Sequence, residues 1–115
     1  MKLNFEFSGG VAVVQLPVEA LDASNSGDFR ASLVASVGDA TRVALGLGSV
    51  RTIDSAGMGA LISVLRAVRA LGGDLKLFGV TAPVLEALAL VRLDRVFTPV
   101  LSTRADALAA FAAER

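Results

Sequence analysis

Apolar and polar residues alternate strictly from Lys2 to Phe7, with Leu3, Phe5 and Phe7 on one side and Lys2, Asn4 and Glu6 on the other. A period of two predicts a half-buried strand. Ser8-Gly9-Gly10 then supplies a tight turn, and Val11 to Leu16 reads as the return arm of a hairpin that Pro17 ends. Beyond it the period lengthens. Phe29, Leu33 and Val37 recur at i, i+4 and i+8, which predicts a helix running to about Val37. Asp22, Ser24 and Asn25 offer capping side chains at its start, and Gly38 offers a stop.

The short apolar run from Arg42 to Leu47 is bounded by glycine and predicts a central strand buried on both faces. After a loop from Ser49 to Asp54, Met58, Leu61, Ile62, Leu65 and Val68 form the apolar stripe of a helix from Ala56 to about Leu71. Arg66 and Arg69 fall off that stripe, and Gly72-Gly73 terminates the helix. Asp74 to Phe78 predicts another strand. Thr81-Ala82-Pro83 starts a third helix, with proline tolerated in the first turn. Arg95 to Val100 reads as a last strand, and Ser102 as the cap of a final helix whose apolar side carries Leu108 and Phe111. The expected order is ββαβαβαβα. This is an α/β domain, a mixed and mostly parallel sheet with an N-terminal hairpin and about four helices, spanning residues 1–115 as one unit.

Composition narrows the function. Hydrophobic residues make up 54% of the chain, but every long apolar run is broken by glycine, proline or a polar residue. A spanning helix needs about 20 mostly apolar residues, so a soluble, cytoplasmic protein without membrane insertion is expected. The start lacks a basic segment followed by an apolar stretch, so no cleaved signal peptide is expected. Acidic and basic residues balance at eleven each, and no basic run or aromatic platform points to nucleic acid. Arg66, Arg69, Arg92 and Arg95 read as solvated helix faces and termini. The chain holds no cysteine and no histidine. Disulfides, thiolate chemistry and the common transition-metal sites are therefore excluded, and no cofactor is expected.

One stretch carries candidate chemistry: Thr52-Ile53-Asp54-Ser55-Ala56-Gly57-Met58-Gly59. A β-rich run gives way to Asp-Ser, then to two glycines and the start of a helix. This places the Ser55 hydroxyl where free backbone N–H groups and the positive end of the helix dipole favour an anion. Without histidine there is no base to make Ser55 a nucleophile, and no Gly-x-Ser-x-Gly elbow surrounds it. No phosphate loop of the Gly-x-x-x-x-Gly-Lys type is present either. Ser55 is thus suited to receive a phosphoryl group, or serves only as an N-cap. Asp22 either caps the first helix or contacts a partner. Gly57 and Gly59 either let a partner backbone come close to the helix start or serve only helix packing, the second being the preferred reading for Gly59; Met58 reads as core or rim.

From Ile53 to Gly59, followed by the helix and the Gly72-Gly73 stop, the chain resembles the STAS domains typified by bacterial anti-sigma factor antagonists. The likeness extends to the opening hairpin, the Leu21-Asp22 loop, the Gly-Gly-Asp-Leu-Lys-Leu strand entry and the Pro83 helix. It implies a regulatory protein with no catalytic residues. In the antagonists the serine after the motif aspartate is phosphorylated by a partner that is both anti-sigma factor and serine kinase of GHKL type. Phosphorylation ends the complex, and a cognate phosphatase resets it, so the partner switch governs transcription. The matching position is Ser55, and Asp22 matches an acidic residue on the same partner-facing surface. Ser24, Asn25, Asp54, Ala56, Gly57 and Met58 complete the expected partner-binding set. Ala56 replaces a second hydroxyl residue found in many members, and the approach to Asp22 lacks the family's usual glycine. The family also implies an alternative: an accessory subunit that binds the ATPase of an ABC-type lipid transport system without a phosphorylation cycle. A homodimer is compatible with either role.

Overall fold

A computed structural model describes residues 1–38 and 40–114. Strands β1 (Phe5–Ser8) and β2 (Val11–Gln15) form the expected hairpin, and Gly9 and Gly10 both take positive φ in its turn. After β3 (Ala20–Leu21) and helix α1 (Ser26–Val37) come β4 (Arg42–Gly46) and β5 (Thr52–Ile53). Helix α2 (Ser55–Ala70), β6 (Asp74–Phe78), α3 (Ala82–Leu90), a 3-10 turn (Leu93–Arg95) and α4 (Arg104–Ala113) complete the chain. The main sheet has the order β1-β2-β4-β6. Its first pair is antiparallel and the other two are parallel, as helical crossovers require.

The central strands are buried on both faces, and a period of two sorts their side chains between two cores. Val14, Val43, Leu45, Leu75 and Leu77 face α1, α2 and α3, where Phe29, Leu33, Leu61, Leu65, Val84 and Leu88 meet them. Val11, Val13, Ala44 and Phe78 face the other way, onto Ala107 and Phe111 of α4. Lys76 points to that second face too. Its stem is buried, its ammonium lies 5.0 Å from the centre of the Phe111 ring, and it pairs with Glu114 at 2.7 Å. The arginines 66, 69, 92 and 95 are exposed, as expected of solvated helix faces and termini.

Several expectations are corrected. The order ββαβαβαβα misses β3 and β5, which pair with each other in a separate parallel sheet (Ala20 with Thr52, Leu21 with Ile53). The expected strand at Arg95–Val100 does not form. A 3-10 turn occupies its start, the Thr98–Pro99 bond is cis, and only Leu101 makes a single parallel bridge with Phe78. The N–H groups of Val96, Phe97 and Thr98 turn back to the Leu93 and Arg95 carbonyls, and Pro99 has no N–H to give a ladder. The final helix is capped by Thr103, whose hydroxyl accepts the Asp106 N–H at 3.1 Å, and not by Ser102. The first strand starts at Phe5, and Phe7 is 67% exposed, because no helix covers the outer end of this edge strand. Among the described residues, no helix is long and apolar enough to cross a membrane.

Candidate functional site

Two loops far apart in sequence meet beyond the ends of β2 and β4. The pairing of β3 with β5 brings Leu21-Asp22 beside Ile53-Asp54, and the Asp54 N–H donates to the Leu21 carbonyl at 3.3 Å. The Asp54 carboxylate then ties both segments together. One oxygen accepts the Gly57 N–H at 2.9 Å; the other accepts the Ala23 N–H at 3.1 Å. Asp54 is therefore the N-cap of α2, with extended φ and ψ and its side-chain acceptor at the positive end of the helix dipole.

Ser55 is consequently the first helical residue and not the cap. The N-cap alternative for its hydroxyl is thereby overturned: Asp54 already satisfies the Gly57 N–H, and Met58 N–H bonds to the Asp54 carbonyl at 3.0 Å. The Ser55 side chain is exposed and bonds to none of the described residues. Its own N–H and that of Ala56 likewise lack a partner among the described residues, as the first turn of a helix dictates. A free hydroxyl thus stands beside two free backbone donors. No imidazole or thiolate activates it, and the neighbouring carboxylate is engaged as a cap. The free N–H groups and the positive end of the helix suit an anionic group, and a base for the hydroxyl would have to come from another molecule.

The Asp22 loop is locked internally. The Asp22 carboxylate accepts from the Ser24 hydroxyl and, at 2.9 Å, from the Ser24 N–H. These two bonds, the hydroxyl first, hold its pKa below the usual carboxylate value, against a small opposing effect of desolvation. Asn25 occupies the N-cap position of α1 but does not cap with its side chain. Its amide instead accepts the Asp22 N–H at 2.9 Å and donates to the Ala20 carbonyl at 2.8 Å. The expected capping by Asp22, Ser24 and Asn25 is replaced by a closed turn that presents Ala23 and Ser24 outward.

Of the two readings open for the glycines, packing holds at Gly57 and not at Gly59. A Cβ on Gly57 would run into the Leu21 carbonyl oxygen and come within 2.8 Å of Ile53 Cγ1, so glycine is needed for α2 to sit against β3 and β5. Gly57 is buried there. Around Gly59 there is nothing within 4 Å of such a Cβ, so it does not serve packing as the sequence had suggested. Ala56 is half-buried, and Met58, also half-buried, packs onto the main core. The surface around Ser55 is therefore made by Asp54, Ala56, Gly59, Ala23, Ser24 and Asp22. Ala23 was missed, since its part is played by its main chain. The one signal for it was the repeated pattern of an apolar residue before an aspartate, Leu21-Asp22 and Ile53-Asp54, which fits two short strands side by side. Among the described residues no group of acidic side chains could hold a metal ion.

Comparison with known proteins agrees with this frame. No curated protein sequence matches the chain. Solved structures do. A candidate anti-sigma factor antagonist from Thermotoga maritima superposes with a TM-score of 0.83 at 22% identity, covering 94% of this chain and 92% of that one. The anti-sigma factor antagonist SpoIIAA in its unphosphorylated form gives 0.78 at 17% identity, with 97% of each chain covered. The murine anion transporter Slc26a9 gives 0.81 at 24% identity over 96% of this chain, which spans only 19% of the transporter. At such identities the likeness is one of fold. The model of the STAS domain family matches residues 2–107, nearly the whole sequence and all of the Asp22–Ser55 surface, and on that match the chain belongs to the STAS domain family.

Proposed function

We propose that this chain is a partner-switching regulator of the anti-sigma factor antagonist type, switched off by phosphorylation of Ser55. The observation that carries the reading is the state of Ser55: an exposed hydroxyl with no bond, at the first position of a helix whose cap is already supplied by Asp54. A serine used for capping would lose its bond on modification. This one loses nothing, so phosphorylation leaves the fold intact and changes only the surface. The existence of SpoIIAA structures in both unphosphorylated and phosphorylated forms supports the same direction.

The partner is an anti-sigma factor that is also a serine kinase of GHKL type, and a cognate phosphatase restores the free hydroxyl. The unmodified surface of Asp22, Ala23, Ser24, Asp54 and Ala56 docks on the kinase. Phosphorylation adds nearly two negative charges beside Asp54. At about 5 Å and an effective dielectric near 20, each added charge costs around 3 kcal/mol against a neighbouring carboxylate, less after salt screening. The helix N-terminus returns only about 0.3–1 kcal/mol in an exposed setting. That repulsion lies within the chain and is nearly the same free or bound; binding is opposed because docking must strip water from the phosphate, and a penalty of about 3 kcal/mol for this weakens binding on the order of a hundredfold. The test is phosphorylation of the purified chain by its kinase with ATP, followed by peptide mass spectrometry. Ser55→Ala should abolish incorporation while still binding the kinase; incorporation that persists in that variant refutes the site.

A further inference from the structure

We propose that α4 is a hinged strap that opens from the sheet as a unit while the rest of the fold stays closed. The two faces of the main sheet are covered unequally. The core beneath α1, α2 and α3 contains no residue of α4, and the smaller core on the other face is made of Val11, Val13, Ala44, Phe78, Ala107 and Phe111. Only Ala107 and Phe111 of α4 are buried, and six of its ten residues are alanine. α4 therefore brings one large side chain fully into the core, whereas α2 brings Leu61, Val64, Leu65 and Val68. A free helix needs about 12–15 residues to persist in water even when rich in alanine, so docking and helix formation in α4 are one event. An element with so little buried apolar surface is where sub-global opening takes place.

The hinge is set by hydrogen bonds. Leu101 is held on β6 from both sides, its N–H donating to the Leu77 carbonyl at 2.9 Å and its carbonyl accepting the Gly79 N–H at 3.0 Å. Beyond it, Ser102 and Thr103 make no bond to the sheet among the described residues. The far end is closed by a clasp. Glu114, the C-cap of α4, pairs with the Lys76 ammonium at 2.7 Å, and that ammonium lies 5.0 Å from the centre of the Phe111 ring. Asp74 is farther from it, at 3.8 Å. The Lys76 side chain is 9% exposed, so closing α4 strips water from a cation and opening returns it. With the Glu114 carboxylate removed, closure still buries the ammonium but no longer supplies its close counter-charge. At the hinge end Arg104 meets Glu6 at 2.9 Å, an exposed pair that adds little. Opening uncovers Val11, Val13, Ala44 and Phe78 on the face opposite α2, and leaves the Asp54 cap and Ser55 in place.

The test places a thiol in a chain that has none. Ala44 lies beneath α4 and its neighbour Val43 beneath the other helices, both fully buried. Ala44→Cys and Val43→Cys proteins are labelled with a small thiol reagent under native conditions. Ala44→Cys should react roughly tenfold faster or more, and adding Glu114→Gln should speed it about tenfold further while leaving Val43→Cys unchanged. Amide exchange in the unaltered chain guards against an effect of the new sulfur: residues 108–113 should outpace Val43, Ala44 and Leu45 by roughly tenfold or more. Equal labelling of the two thiols, an effect of Glu114→Gln on both or on neither, or α4 amides that exchange no faster than those of β4 overturns the strap.

Discussion

Gly57 and Gly59 lie two residues apart in the first turns of α2, yet the same substitution should move stability in opposite directions. An alanine Cβ at position 57 would press on the Leu21 carbonyl, lie 3.0 Å from its carbon and 2.8 Å from Ile53 Cγ1. Carbon atoms prefer about 3.5–4.0 Å. The Leu21 carbonyl cannot step aside freely, because it accepts the Asp54 N–H and Leu21 is paired with Ile53. Overpacking of this kind costs about 1–3 kcal/mol, while the helix preference of alanine over glycine returns up to about 1 kcal/mol. At Gly59 only the second effect operates, since the space is open. Comparing the two variants cancels the helix preference and isolates the collision. For 115 residues each 1 kcal/mol is worth about 4 °C, so Gly59→Ala should melt about 4–12 °C above Gly57→Ala. Calorimetric or circular-dichroism melts in one buffer give the number. If Gly57→Ala proves as stable as Gly59→Ala, the packing of α2 against β3 and β5 is wrong, and with it the juxtaposition of Asp22 and Ser55.

Asp54→Ala should lower stability by about 1–2 kcal/mol through loss of the cap and speed amide exchange at Ala23, whereas Asp54→Asn should lose less; an unaltered Ala23 amide would deny the bridge between the loops. Ser24→Ala should raise the Asp22 pKa toward its ordinary value, read by a carboxyl NMR titration. A carboxylate whose pKa is lowered on folding contributes stability above its unfolded pKa and loses it as pH falls through the folded value, so the variant should also show a flatter acid limb; an unmoved pKa would refute the turn. Lys76→Met keeps the packing on Phe111 and removes a charge that is 9% exposed at its side chain, so its melting temperature should hold or rise, and a marked fall would show that the Glu114 pair outweighs desolvation.

Much of this fold was legible wherever burial and period coincide. The hairpin, α1, β4, α2, β6 and α3 fall within a residue or three of their expected bounds, because each carries its own apolar pattern and a glycine or proline stop. What escaped was structure held by pairing alone. β3 and β5 have two residues each, too few to show a period, and Leu101 contributes one bridge. The site was legible in part: Asp54 and Ser55 at a helix start follow from local order, but which of them caps depends on one residue of phase. That Gly57 and not Gly59 is sterically required follows only from contact with Leu21, distant in sequence. Exposure of Phe7 was hidden for a like reason, since alternation marks a face without saying whether a helix covers it.

The central claim is a switch at Ser55, and its most direct test is affinity for the partner before and after modification. Wild-type and Ser55→Asp proteins, used as paired baits in a native lysate, should differ in one retained protein, a small GHKL-type serine kinase held by wild type alone. Titration of that kinase with unmodified and phosphorylated chain should then show a loss on the order of a hundredfold. Equal affinity for both forms, or an ABC-type ATPase held equally by both baits, would contradict the switch.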